Sequence, residues 1–387
     1  MSMRARPALR KALGLAGPLL VAAVAGVAPA DAAPAGAAPA AVLPGSGVLN
    51  DVVAISARDA WAVGHAAGLS ASRALIEHWT GSVWHRAPVS PAGGWLDGVA
   101  ATSARDVWAV GLSGDRPLIL HYDGARWRRV ASPALGARGV LADVTAVSRR
   151  DAWAAGQVGS KVLIEHWDGT AWTRVPGPSP RAGAFLAGIA AASARDVWAV
   201  GAGTGTLVLH WDGAAWHRVP APSPTGAMLN RVTVIAAADA WAAGTSDRGA
   251  LILHWDGTAW RRIRSPAGRG TALVGVSGTS ARSAWAVGAT GGLLAAAADR
   301  AGPGAPVTGS PWPDHGASAA PAAEPLILHW DGNAWQRVNS PEPARGGQLI
   351  GVYARSGRSA WAVGCTRTFA SAKARPLVLR WNGVKWT

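Results

Sequence analysis

Apolar residues fall along this chain in short runs of strand length, separated by Gly, Asp, Ser and Pro, and hardly anywhere at the 3.6-residue spacing of a helix. Residues 229–235, 239–244, 251–255 and 260–263 form one set of four such runs. The links within it, Ala236-Ala237-Ala238 and Asp256-Gly257, are tight, and Asp-Gly between apolar runs is a hairpin signal. Four runs joined this closely predict an antiparallel meander of four strands.

The set recurs seven times. Each copy carries a phrase close to Ser-Ala-Arg-Asp-x-Trp-Ala-Val-Gly, then Leu-Ile-x-His-Trp-Asp-Gly, then x-x-Trp-x-Arg-Val before a Pro-rich link. Its first tryptophan falls at Trp61, Trp108, Trp153, Trp198, Trp241, Trp285 and Trp361, so five steps are 43 to 47 residues and the sixth is longer. That step locates an insertion over about 289–324. A period near 45 with four strands per unit predicts an all-β fold: a seven-bladed β-propeller over 43–387, with four antiparallel strands per blade.

A second aromatic column (Trp79, Tyr122, Trp167, Trp211, Trp255, Trp330, Trp381) is followed five residues later by a third (Trp84, Trp127, Trp172, Trp216, Trp260, Trp335, Trp386). The three columns hold 20 of the 22 tryptophans. Rings of that size fill the wedge between twisted sheets, so they are read as core and not as ligand platforms. The seventh copy stops at Trp386-Thr387 with its outer strand half made, while Ala41-Val42-Leu43-Pro44 resembles the Arg-Val-x-Ser-Pro end of other copies. This N-terminal stretch is expected to complete the last blade and fasten the ring.

In such a meander the first and third turns lie on one face. The second turn and the blade-to-blade link lie on the other. The first face carries near-identical Ser-Ala-Arg-Asp and Asp-Gly turns; the second carries the unequal loops at 65–73, 365–375 and 289–324. Unequal loops on a rigid scaffold are where recognition resides, so the variable face is the expected binding face. Trp95 stands on it where other copies place Phe185, Met228 or Val140, and the insertion adds Trp312 with Asp314 and His315. Just inside, the second position of the innermost strand is polar at Asn50, Asp97 and Asn230 but apolar at Ala142, Ala187, Val274 and Ile350. Trp95, Asp97, Asn50, Asn230 and Trp312 are the candidate ligand-binding residues.

The N-terminus reads as a secretory signal over 1–32: basic Arg4, Arg6, Arg10 and Lys11, an apolar stretch over 12–27, then small residues around Ala28-Pro29-Ala30. An Ala/Pro/Gly-rich tether over 33–42 follows. Losing the four basic residues lowers the formal charge from +15 to +11, or to +12 if Asp31 goes as well. The mature chain is thus expected to be extracellular, soluble, monomeric and basic, without a transmembrane segment. Cys365, the lone cysteine, leaves stability to burial alone.

The recurring histidines (His78, His121, His166, His210, His254, His329, with Arg380 in the seventh copy) look like metal ligands. Geometry opposes this. Third strands lie two spacings of about 4.8 Å outside the first, which sets equivalent positions on the order of 9 Å apart or more, against roughly 4 Å for two imidazoles on one zinc. Each is read as a hydrogen-bonding residue inside its blade, and the Asp after the tryptophan as a turn residue. Arginines are spread around the ring, at Arg58, Arg105, Arg195 and Arg282 in first turns and at Arg86, Arg129, Arg174, Arg218, Arg262 and Arg337 on outer strands. That spread argues against a dedicated nucleic-acid groove. No nucleophile, phosphate-loop or metal-ligand spacing is present in the sequence, so no metal or cofactor is expected.

On the Asp-x-Trp-Ala-Val-Gly phrase and the later tryptophan, the span from about 43 to 387 resembles the kelch and galactose-oxidase-like propellers and tectonin-type lectin repeats, and is similar to secreted actinobacterial repeat proteins. It departs from kelch blades in having single glycines such as Gly64, Gly111 and Gly201 in place of a Gly-Gly pair. Copper-radical oxidation, which the galactose-oxidase resemblance would imply, needs two tyrosines and a crosslinked cysteine. Tyr122 fills a structural column, and Cys365 is expected beside Ile350 and away from Tyr353. The expected function is binding of carbohydrate or another cell-envelope polymer through the variable face, with a glycan or an anionic envelope polymer as the expected partner. A polysaccharide-acting enzyme with carboxylates at the channel mouth is the alternative, and a protein-interaction scaffold the second.

Overall fold

A computed structural model describes residues 41–66, 73–89, 93–178, 183–291, 323–341, 346–366 and 374–387. The expected signal, most of the tether, Trp312 and residues 292–322 of the insertion lie outside these residues.

The described strands form seven four-stranded antiparallel sheets. Blade one is β2 (Val48–Ser56), β3 (Asp59–Ala66), β4 (Arg73–Trp79) and β5 (Trp84–Arg86), paired in that order. Each later blade repeats it, beginning at β6 (Trp95–Ser103), β10 (Gly139–Ser148), β14 (Phe185–Ser193), β18 (Met228–Ala236), β22 (Thr271–Ser280) and β26 (Gly347–Ser356). The first strand is always terminal in its sheet, and neighbouring first strands contact one another around the ring.

The seventh blade closes as its sequence predicts. The strand β1 (Ala41–Val42) pairs with β28 (Arg375–Trp381), Ala41 opposite Val378 and Val42 opposite Leu377. Further along β28, Trp386 bridges Trp381, and Thr387 exchanges backbone hydrogen bonds with Arg380. The outer edge of blade seven is thus covered by residues from both ends of the chain. The first described strand thus starts at Ala41, two residues ahead of the propeller start expected at Leu43. Leu43 is buried between blades one and seven, and its N–H donates to the Pro376 carbonyl at 2.8 Å.

The aromatic columns pack where the wedge argument puts them. Trp108 of blade two meets Trp167 and Trp172 of blade three at centroid distances of 5.0 and 5.2 Å, the latter edge-on. The same triplet recurs at every seam. Trp361 of blade seven meets Trp79 and Trp84 of blade one at 5.3 Å each, so the closing seam is built like the rest. Aromatic pairs of this kind contribute roughly 0.5–1.5 kcal/mol each beyond their buried area.

Candidate functional site

The innermost strands begin with a common pattern, Leu-x-x-Val or Leu-x-x-Ile, whose third residue runs Asp51, Gly98, Asp143, Gly188, Arg231, Gly275 and Gly351 around the ring. In every blade the pairing register slips between the Leu and this residue, at Leu49/Asp51 and Leu96/Gly98 for example. A bulge there leaves the second residue unpaired and bends the strand. Glycine is required between the charged positions. A Cβ on Gly98 would stand 2.8 Å from the Asp143 Cα, and one on Gly351 2.7 Å from the Asp51 Cα. Both distances are shorter than a side chain tolerates.

The three charged residues converge. Arg231 of blade five pairs with Asp51 of blade one at 3.3 Å and directly with Asp143 of blade three, and its Nη2 donates to the Asp97 carbonyl of blade two at 3.2 Å. One guanidinium thus ties four blades across the channel. The carboxylates also cap the neighbouring strand edges. Asp51 Oδ2 accepts the Val99 N–H at 3.0 Å, Asp143 Oδ2 the Ile189 N–H at 2.9 Å, and Asp143 Oδ1 its neighbour Val144 at 2.9 Å. Burial pushes Asp51 up to about 6 and raises Asp143, with Arg231 offsetting part of the effect in each. Burial opposes the charge on Arg231, but Asp143, Asp51 and Asp97 outweigh it and hold the guanidinium above its ordinary value. The sequence reading passed over this column; its signal was three charged residues among four glycines at one repeat position.

Asn50, Asp97 and Asn230 lie beside this tie, each only 2–3 % exposed. The structure brings two of them together: Asn50 Nδ2 donates to Asp97 Oδ1 at 3.2 Å and to the Leu96 carbonyl at 2.8 Å. Asn230 makes the equivalent backbone bracket between blades five and six, donating to the Leu273 carbonyl at 2.6 Å. All three therefore lie inside the ring, joining blades. Trp95 stands apart at the start of β6, half-buried.

On the loop side of the tie, Val48, Ala272, Val274, Ala289, Ala323, Ile350, Cys365 and Ala374 form an apolar cluster that joins blades six, seven and one. Cys365 lies opposite Gln348 in register and packs with Ile350, as expected, its thiol pushed up to about 12 by burial. On the other side a cavity of about 330 Å³ runs from Asp51, Asp143 and Arg231 along the strands to Ala146, Ala191, Val234, Gly278 and Ala354. Those residues lie near the strand ends that lead into the first turns, so the cavity opens on the face with the repeated turns. Tyr353 is the one aromatic side chain lining it.

The histidines are used inside blades. His166 Nε2 meets Asp151 Oδ1 at 2.9 Å and its ring lies 4.1 Å from Trp153, an arrangement shared by the first five blades. Blade six puts Ser283 opposite His329 at 3.3 Å, and in blade seven Arg380 stacks over Trp361. The Asp-Gly aspartates hold their own turns, as Asp168 does by accepting from the Thr170 and Ala171 N–H groups. Among the described residues no group of His, Cys, Asp or Glu is placed to hold a metal, and no helix is long and apolar enough to cross a membrane.

No protein-family description and no curated protein sequence matches the chain. Solved structures do match in shape. YCF48 bound to a D1 peptide superposes with a TM-score of 0.57 at 15 % identity, covering 88 % of this chain and 94 % of that one. Catalytically inactive virginiamycin B lyase from Staphylococcus aureus with quinupristin gives 0.58 at 10 %, covering 88 % and 97 %. The WD40 propeller of Doa1 gives 0.55 at 11 %, covering 87 % and 94 %. At these identities the likeness is one of fold: a seven-bladed propeller, seen in binding scaffolds and in a lyase.

Proposed function

We propose that this chain is a secreted binding module that recognises carbohydrate or another cell-envelope polymer. The observation that carries the reading is how the repeated residues are spent. Tryptophans pack at the blade seams, histidines pair within their blades and turn aspartates hold their own turns, so recognition falls to what does not repeat. That remainder is the unequal loops with Trp95 and the interior of the channel. Export follows from the basic and apolar start of the sequence, and a net positive mature chain favours anionic polymers at low salt.

A hydrolase would need two carboxylates with oxygens free to protonate a leaving group and to attack or activate water. Asp51 and Asp143 sit together, but their oxygens are engaged by backbone N–H groups and Arg231. A brace is the better description. The protein-interaction alternative takes its support from the neighbours, one of which carries a bound peptide. A glycan array probed with residues 33–387 tests the reading. Saturable binding to a defined set of glycans is expected; no glycan signal together with turnover of any polysaccharide would replace the binding module with an enzyme.

A further inference from the structure

We propose that the channel cavity on the repeated-turn face is a binding cup for one neutral sugar residue at the end of a glycan chain. It is a site on the face opposite Trp95 and rests on the carbohydrate reading above.

The cup is blind. Its floor is the Asp51–Arg231–Asp143 tie, which spans the channel from blade one to blades three and five. A polymer cannot thread it, so only an end or a side group can enter. A volume of about 330 Å³ is at the small end for ligand pockets and suits a single ring.

The wall chemistry points to hydroxyls. Each sheet pairs its first strand on one side only, so the other edge faces the channel. The N–H groups of Val99, Ile189, Gly278 and Ala354 bond across to side chains of the preceding blade, which fixes which residues turn that way. Alternate residues of a strand share an edge, so Ala101, Ala146, Ala191 and Val234 present both a donor and an acceptor at the same level of the wall. A sugar hydroxyl also donates and accepts. Thr145, Thr233 and Ser277 add side-chain hydroxyls to the wall.

One residue breaks the pattern of small side chains. At the fifth position of the innermost strand the blades carry Val53, Ala100, Thr145, Ala190, Thr233 and Ser277, and then Tyr353. Tyr353 packs against the apolar residues of blades seven and one and also borders the cavity, where it offers an aromatic contact and a polar tip. Charge sets the class of sugar. The floor holds two carboxylates against one guanidinium, so an acidic sugar is repelled where a neutral one is not.

The chain contains two tyrosines, which makes the test specific. Protein with ring-¹³C tyrosine is titrated with chitotriose, cellotriose, maltotriose and mannotriose, with galacturonic acid trimer and an uncharged tripeptide amide as controls. Tyr122→Phe assigns the signals. The expected result is that at least one neutral trimer shifts Tyr353 saturably and leaves Tyr122 in place, that Tyr353→Phe keeps most of this affinity, and that Tyr353→Ala loses at least tenfold. Should Tyr353→Ala fold poorly, the signal shift in the unmodified chain decides alone. A trimer that binds without moving Tyr353, and is weakened by Trp95→Ala, overturns the cup and leaves the carbohydrate reading intact. Binding of the tripeptide or the acidic trimer in the cup overturns it too, and silence from every sugar removes both.

Discussion

Arg231 and its two aspartates carry the most consequential side-chain chemistry in the molecule. Breaking a buried ion pair from one side leaves uncompensated charge, at about 3–5 kcal/mol, whereas replacing all partners by apolar or neutral groups is often near neutral. Arg231→Met is therefore expected to lower stability by about 3–5 kcal/mol in a denaturant titration, and adding Asp51→Asn and Asp143→Asn to restore most of it. Independent, additive losses would mean that the three do not act as one unit. The same cluster sets a pH dependence. Asp51 titrates near 3.8 when unfolded and at about 6 when folded, so between those values the folded chain holds more protons and stability falls as pH rises, by up to ~3 kcal/mol. Glu165, raised from 4.5 to about 7 mainly by burial, extends the fall. The exposed turn carboxylates Asp168 and Asp212, lowered to about 2, act oppositely: their contribution is present above about pH 4 and lost as pH falls. Melting temperature should peak at about pH 4 to 5. Asp51→Asn should flatten its decline toward pH 7, and an unchanged slope would take Asp51 out of the account.

Strands and turns were the most legible level. The four runs read at 229–235, 239–244, 251–255 and 260–263 lie within Met228–Ala236, Asp239–Ser246, Gly249–Trp255 and Trp260–Ile263, because alternation and Asp-Gly turns are local signals. The bulges were not legible. A bulge is a mismatch between two strands, and nothing in one strand alone marks it. Missing them hid the inward column: polar Asn50, Asp97 and Asn230 read as a channel mouth, but bulged strands bury them as brackets between blades. The alternation of glycine with charge at the next position makes a sharp test. Gly98→Ala should cost about 1–3 kcal/mol or more through contact with the Asp143 backbone, while Gly268→Ala, whose Cβ would meet nothing within 4 Å, should be close to neutral. Equal effects in a thermal melt would show that close approach is not what the glycine provides.

At the scale of the whole molecule, number and closure followed from the sequence because a ring needs every seam to be alike. Seven aromatic triplets and a stray N-terminal strand phrase were enough to state it. Function was less legible for the same reason: repetition advertises the residues that hold the ring, and the cavity is made largely of backbone edges, which no residue type announces. The closing contact is also the point at which the architecture is most exposed to test, since β1 contributes only two paired residues together with Leu43 in the seam. The most direct measurement compares melting temperatures of chains beginning at 41 and at 48. If the ring is fastened as described, the first should melt like residues 33–387 and the second lower by roughly 5–10 °C. Equal melting of all three would contradict a ring that is closed by its N-terminal strand.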